Sequence, residues 1–354
     1  MNLHEGFKRV FLLIMMVLLM VSLTGYGDEA LPKVTMTIGH AEPADPTNYI
    51  HGSALKFKEY VEEKTDGGIT VEIVPGGAFG DADAMLEQVS RGTIEACGSV
   101  SAGSVAQLYP DIQLLSIPYV FKDNVEFLAV LRGDFGQAMF EDIKEKVGVR
   151  MFILMSQGAR HFTNNERPIK TAQDMKGLKI RTMNIKSDMD IVSSLGANPA
   201  PIAWTEVYTS LQTGVVDGQE NGIPSILLGN LYQVQKYLTL DGHRYGTDLF
   251  FLNEKWFQGL PKEYQLIIEA GGMYASDYGN MQSDVASNQG LQFLKKHMEV
   301  YDPSEEEIQT FKDATIETVT EDVKKLMKDA SWIDRMFLAK DEVNKGLGYE
   351  GFNK

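Results

Sequence analysis

The chain has 354 residues, with 49 Asp and Glu against 33 Lys and Arg, a formal net charge of −16 and a single cysteine, Cys97. A surface this acidic repels phosphate backbones, which sets nucleic acid aside as a partner. One cysteine allows no internal disulfide and no cysteine-based metal site, so stability must come from apolar cores, and the length suits two of them.

Residues 1–27 read as an export signal that is removed. Lys8 and Arg9 precede an apolar run from Val10 to Val21, and small residues follow at Gly25 and Gly27. The run falls short of the ~20 apolar residues that span a bilayer, and no later segment is longer. Tyr26 stands where a lipoprotein signal carries its cysteine, which excludes a lipid anchor at that site. A soluble, exported, periplasmic protein is expected.

Val34 to Ile38 alternates apolar and polar residues as a strand does, and Asp45-Pro46 suits an N-cap and first helical position. Ile50, Ala54, Phe57 and Val61 then recur at spacings of four, three and four, giving a helix with one apolar face. Gly67-Gly68 stops it, and Ile69 to Val74 reads as the next strand, so the first unit is βαβ with parallel strands. The pattern continues with a helix from Asp81 to Arg91, a short strand near Ile94 to Cys97 and a buried segment from Leu114 to Tyr119. Val149 to Met155 reads as a strand leading to Gly158-Ala159-Arg160, and Leu178 to Thr182 as another that carries Arg181. Asp217-Gly218 reads as a turn after a Val215-Val216 strand, with Asp217 structural. Tyr264 to Glu299 and Ser304 to Asp329 read as long helices.

This is α/β architecture, and no flexible linker separates its halves. Two lobes without a linker imply that the chain crosses between them more than once, which encloses a cleft whose closure is coupled to ligand. The expected division is residues 28–157 with 247–286 in lobe I, and 158–246 with 287–354 in lobe II.

In open α/β sheets ligands sit beyond the carboxyl ends of strands, and His40, Arg160 and Arg181 are expected at such ends. The stretch from Lys176 to Tyr237 pairs Arg181 with the polar cluster Val216-Asp217-Gly218-Gln219-Glu220-Asn221, and a cation with an amide cluster points to capture of an anion. A guanidinium fork engages both oxygens of a carboxylate. Glu220 is placed to orient Arg181 or Arg160, and Asn221 offers a donor and an acceptor. Trp204, in a loop after Pro199 and Pro201, suits stacking on a sugar or covering a carbon chain. His51 is expected to face solvent. There is no Gly-x-Ser-x-Gly elbow, phosphate-cradling loop or His-Glu-x-x-His pair, and the histidines are scattered, so neither an enzyme nor a metal site is indicated.

Several ordered segments carry a family resemblance: Gly80-Asp81-Ala82-Asp83-Ala84-Met85, Arg160 to Asn165, Asp174 to Arg181, Leu195-Gly196-Ala197-Asn198-Pro199, Val216 to Asn221, and Tyr232 to Tyr237 with His243. Together they resemble substrate-binding proteins of the tripartite ATP-independent periplasmic (TRAP) transporters, the DctP-like family. The resemblance implies a two-lobed clamshell, each lobe a mostly parallel sheet flanked by helices, that captures a small carboxylate and delivers it to TRAP membrane subunits. By position it implies a salt bridge from Arg181 to the ligand, a second arginine at Arg160, hydrogen bonds from Asn184, Asn221 and His243, an aromatic cover at Trp204 and a polar contact at His40. Trp204 stands where phenylalanine is frequent, and Gly98 to Ala106 lacks the charges of some sialic-acid binders, which speaks against sialic acid.

The expected function is that of a monomeric receptor, without cofactor or metal, for a small organic acid, a sugar acid such as a uronate before others. The alternatives are a receptor for a C4-dicarboxylate or another monocarboxylate, and a secreted carboxylate-acting enzyme with His40 or His243 as base.

Overall fold

Strand β1 (Val34–Gly39) pairs in parallel with β2 (Ile69–Val74), and the helix Tyr49–Lys64 connects them. Ile50, Ala54, Phe57 and Val61 of that helix are all buried, as their spacing requires. The helix starts later than Asp45-Pro46 suggests. Asn48 is the cap, its Oδ1 accepting the Ile50 and His51 amides, while Asp45 closes a turn onto the Thr47 amide. The computed structural model describes residues 31–349, and the export signal expected at residues 1–27 lies outside the described residues.

The remaining strands are β3 (Ala96–Val100), β4 (Val149–Asn164), β5 (Lys179–Thr182), β6 (Asn198–Pro201), β7 (Gly218–Gly222), β8 (Tyr237–Asn253) and β9 (Glu299–Tyr301). All nine form one sheet in the order β2-β1-β3-β8-β4-β7-β5-β6, with β9 beside β8. Two parallel groups, β2-β1-β3 and β7-β5-β6, flank a long antiparallel pair, β8 and β4.

Three details differ from the sequence reading. Gly158 does not end β4: it adopts φ 74° at a register shift, so the strand bulges and runs on, and Arg160 lies inside it rather than at its end. Val215 to Asp217 lead into β7 instead of forming a strand before it, and the Asp217 carboxylate accepts the Lys179 amide. The late helices span Lys262–Leu294 and Glu305–Leu326, the second capped by a Ser304/Glu307 box.

One apolar cluster gathers Met36, Ile38, Phe57, Phe250 and Ile268, and another gathers Val207, Leu211, Ile226, Leu238 and Leu294. The largest runs under both flanks, from Leu86 and Phe127 to Ile180, Val192 and Phe311. Two cores were expected from length. The shared long strands and the helix Glu305–Leu326, which packs on both the 110–116 segment and helix Lys186–Ser194, join them through this third one. The C-terminal helix Ser331–Leu347 packs on helices Asn124–Arg132 and Asp134–Val147. Among the described residues no helix is long and apolar enough to cross a membrane.

Strand β7 pairs only with Arg160–Asn164 of β4, and before that point the long helix Lys262–Leu294 supplies partners for the open edge of β4. Ser276 Oγ accepts the Leu154 amide (3.0 Å), Asn280 Oδ1 accepts the Ser156 amide (3.0 Å), and Asn280 Nδ2 donates to the Leu154 carbonyl (2.8 Å). Gly272 permits this approach, because a Cβ there would lie 2.1 Å from the Phe152 carbonyl oxygen. Replacing Asn280 by Leu keeps the volume but strands two buried backbone groups. Asn280→Leu is expected to cost about 2–4 kcal/mol in urea unfolding; a loss below about 0.5 kcal/mol would show that the helix does not complete the strand.

Candidate functional site

The sheet order brings strands from both flanks around one cavity of about 350 Å³, within the range of about 300–1,000 Å³ typical of small-molecule sites. Five of the residues singled out from sequence line it: Arg160 from β4, Arg181 from β5, Asn184 just beyond β5, Asn221 from β7, and Trp204 from the loop after β6.

Arg181 is only 3% exposed. Its Nε donates to the Ile202 carbonyl at 2.8 Å, and its two terminal nitrogens make no hydrogen bond or ion pair with any described residue. Burial lowers the guanidinium to about 10, so it stays charged at neutral pH. It is a buried cation with no carboxylate of its own.

Arg160 contrasts with it. Glu220 sits opposite Phe162 in the β4–β7 ladder and Arg160 sits opposite Gly222, so the two are diagonal neighbours on one face. The Arg160 fork grips the Glu220 carboxylate through Nε (2.6 Å) and Nη2 (2.7 Å), and Nη1 donates to Gln157 Oε1. Gln157 Nε2 in turn donates to Asp248 at 2.9 Å. Gly246 makes room for this stack, since a Cβ there would lie 2.3 Å from Gln157 Oε1. Burial acts to raise the Glu220 carboxyl, but the charge and hydrogen bonds of Arg160 outweigh it and hold the group well below the usual range.

Three expected contact residues do not line the cavity. Glu220 stands behind Arg160, as an orienting group would, and it serves Arg160 rather than Arg181. His243 lies within β8, its Nδ1 2.6 Å from Asp241 and its Nε2 3.3 Å from Glu220, stacked on Phe162. Burial pulls this imidazole down, but Asp241 first and Glu220 second prevail and raise it. His40 turns away to His51, with Nε2 2.9 Å from His51 Nδ1. Burial, and then the charge of His51, lowers His40 to about 4, which leaves it neutral. His51 is therefore buried and not solvent-facing, because the helix start carries it under the β1 end.

Sequence reasoning missed the acidic wall. Glu42, beyond β1, and Asp248, in β8, both line the cavity at 3% exposure. Ser99 Oγ donates to Glu42 at 3.1 Å, the Trp204 side chain also hydrogen-bonds to it, and the Tyr49 hydroxyl donates to Asp248. A signal was present: Asp248 stands directly before the apolar run Leu249 to Leu252 of β8, and acids are almost never fully buried unless they are paired.

The family described as bacterial extracellular solute-binding protein, family 7 (DctP), matches residues 39–326. The chain belongs to that family. It is 32% identical over 261 residues to the 2,3-diketo-L-gulonate-binding periplasmic protein YiaO of Escherichia coli K12, covering 74% of this chain and 78% of that one. Among solved structures it is similar to the sugar acid binding protein DctPAm of Advenella mimigardefordensis in complex with galactonate, with TM-score 0.83, 26% identity, and coverage of 88% and 99%. A TRAP periplasmic solute binding protein of Sulfitobacter sp. NAS-14.1 with bound β-D-galacturonate gives TM-score 0.80 at 27% identity, over 87% of this chain and 99% of that one. This family 7 protein is thus a periplasmic TRAP-type solute receptor for small acids and not an enzyme.

Burial, and then the charge of Asp248, raises Glu42 to about 7. A carboxyl raised by folding stabilises the fold fully below its unfolded value, near 4.5, and that contribution is lost as pH climbs through 7. Glu42→Gln does not titrate. Its stability relative to wild type is expected to improve by about 3 kcal/mol between pH 4.5 and 7.5, at about 1.4 kcal/mol per pH unit over the span. Parallel denaturation profiles for the two proteins would contradict this account of Glu42.

Proposed function

We propose that the protein is a receptor for a hydroxylated sugar acid, a hexonate or hexuronate, which it holds by the carboxylate on Arg181 and hands to TRAP membrane subunits. The observation that carries this reading is the Arg181 guanidinium, buried and charged, with its terminal nitrogens unpaired beside the cavity. A buried charge without a partner is costly, and a carboxylate in the cavity supplies that partner through two parallel hydrogen bonds. Arg160 lines the same cavity with its charge already paired to Glu220 behind it. Asn221 spends its amide nitrogen on Gln219 and keeps its side-chain oxygen for the cavity, and Asn184 and Trp204 complete that side.

The preference for a sugar acid over a C4-dicarboxylate rests on the far wall. A second carboxylate needs a second cation, but Arg160 is already neutralised, and the opposite side carries Glu42 and Asp248. Carboxylates and serines accept hydrogen bonds from hydroxyls. Three of the similar proteins are named for acids of this kind, galactonate, β-D-galacturonate and 2,3-diketo-L-gulonate, while others are named for succinate or ectoine.

The two lobes of this reading meet on the long strands at the Gly158–Gly246 pair, where β4 changes register. Ligand that binds both walls favours the closed arrangement.

Isothermal calorimetry with D-galactonate, D-galacturonate and D-glucuronate tests the proposal. At least one is expected to bind, and Arg181→Ala is expected to weaken it about 30- to 150-fold, the worth of about 2–3 kcal/mol for a buried charge-assisted contact. An unchanged Kd in a folded variant contradicts the anchor, and failure of all three to bind the wild type contradicts the sugar-acid reading.

A further inference from the structure

The cavity is polarised along the sheet. Arg181 and Asn221 come from β5 and β7, on one side of the central pair, whereas Glu42 and Ser99 come from the ends of β1 and β3, on the other. The charges that act on Arg181 are Glu220, Arg160 and Asp188, and the charge that acts on Glu42 is Asp248. The two ends differ in sign, and the chain Asp248–Gln157–Arg160 links them.

We infer that Glu42 is the specificity-determining residue that selects a hydroxyl at the end of the ligand remote from Arg181 and rejects a second carboxylate there. This rests on the reading that Arg181 holds the ligand carboxylate. The Ser99 hydroxyl donates to the Glu42 carboxyl from β3, and the Trp204 side chain reaches it from across the cavity. Among the described residues no cation pairs with it. Arg160, which lines the same cavity, is spent on Glu220 and Gln157.

Glu42 is not the one raised carboxyl on this wall, because burial raises Asp248 as well. Asp248 is held by the Tyr49 hydroxyl and Gln157, and neutral His40 lies behind it, paired with His51. Asp81 and Asp83 line the same cavity from the start of helix Ala82–Arg91 and add negative potential. Asp81 Oδ1 caps that helix, accepting the Ala84 amide. An ionised Glu42 accepts a hydrogen bond from a ligand hydroxyl and repels a carboxylate in its place. Once protonated it donates instead, and the repulsion is relieved. Discrimination against diacids is therefore expected to be greatest above the midpoint of Glu42 near pH 7 and to fall below it.

Matched ligands that differ only at the remote carbon read this directly: D-galactonate against galactarate, and D-gluconate against D-glucarate, by calorimetry at pH 8 and pH 5.5. The wild type is expected to prefer the monoacid by at least 30-fold at pH 8, with the gap at least tenfold smaller at pH 5.5. Glu42→Gln is expected to show the smaller gap at both pH values. The inference is overturned if wild-type discrimination is absent at pH 8 or does not change with pH, a result that needs no variant. It is also overturned if folded Glu42→Gln keeps the wild-type gap. If none of the four acids binds the wild type, the sugar-acid reading itself fails, an outcome distinct from binding without discrimination.

Discussion

A guanidinium buried without a counter-ion sets the terms for everything around it. Arg181 cannot shed its proton at neutral pH, and removing it from water costs free energy that no described side chain returns through a direct ion pair. The fold must supply that cost from elsewhere. The long β4–β8 pair, the apolar cluster that runs under both flanks and the helix laid along β4 are the parts that hold the strands in place regardless of ligand. Binding then returns part of the cost, which gives a receptor that is stable when empty a reason to close when filled.

The two arginines divide the work. Arg160 is locked by Glu220, which His243 and Asp241 hold in turn, so its charge is fixed in position and largely compensated. Arg181 is fixed only through its Nε and leaves its fork open. A site built from two free arginines would grip dianions, whereas one free and one paired, facing an acidic wall, suits a single carboxylate with a polar tail. The charge pattern, more than the cavity size, narrows the ligand class.

Much of this was legible in the sequence because it depends on local patterns. The 4-3-4 spacing of Ile50, Ala54, Phe57 and Val61 gave the first helix, and the alternation in β1 and β2 gave the parallel pair. Arg181 and Asn221 could be singled out because a cation beside an amide cluster has few structural uses. The errors came where tertiary context overrode a local rule. Gly158 reads as a stop but serves as a bulge, and this moved Arg160 into a strand. His40 and His243 read as free polar groups but found buried partners in His51 and in Asp241 with Glu220. Glu42 and Asp248 were invisible as a pair because 206 positions separate them in the sequence, and only the β1-β3-β8 order brings them to one wall.

The central claim is that Arg181 is the carboxylate anchor, and a crystal structure of the protein with a bound hexuronate or hexonate tests it most directly. The account predicts both carboxylate oxygens within about 2.7–3.1 Å of the two terminal nitrogens of Arg181, with Glu42 meeting a hydroxyl at the other end of the molecule. A carboxylate bound beside Glu42, or one held by Arg160 after release of Glu220 while Arg181 stays unpaired, would contradict it.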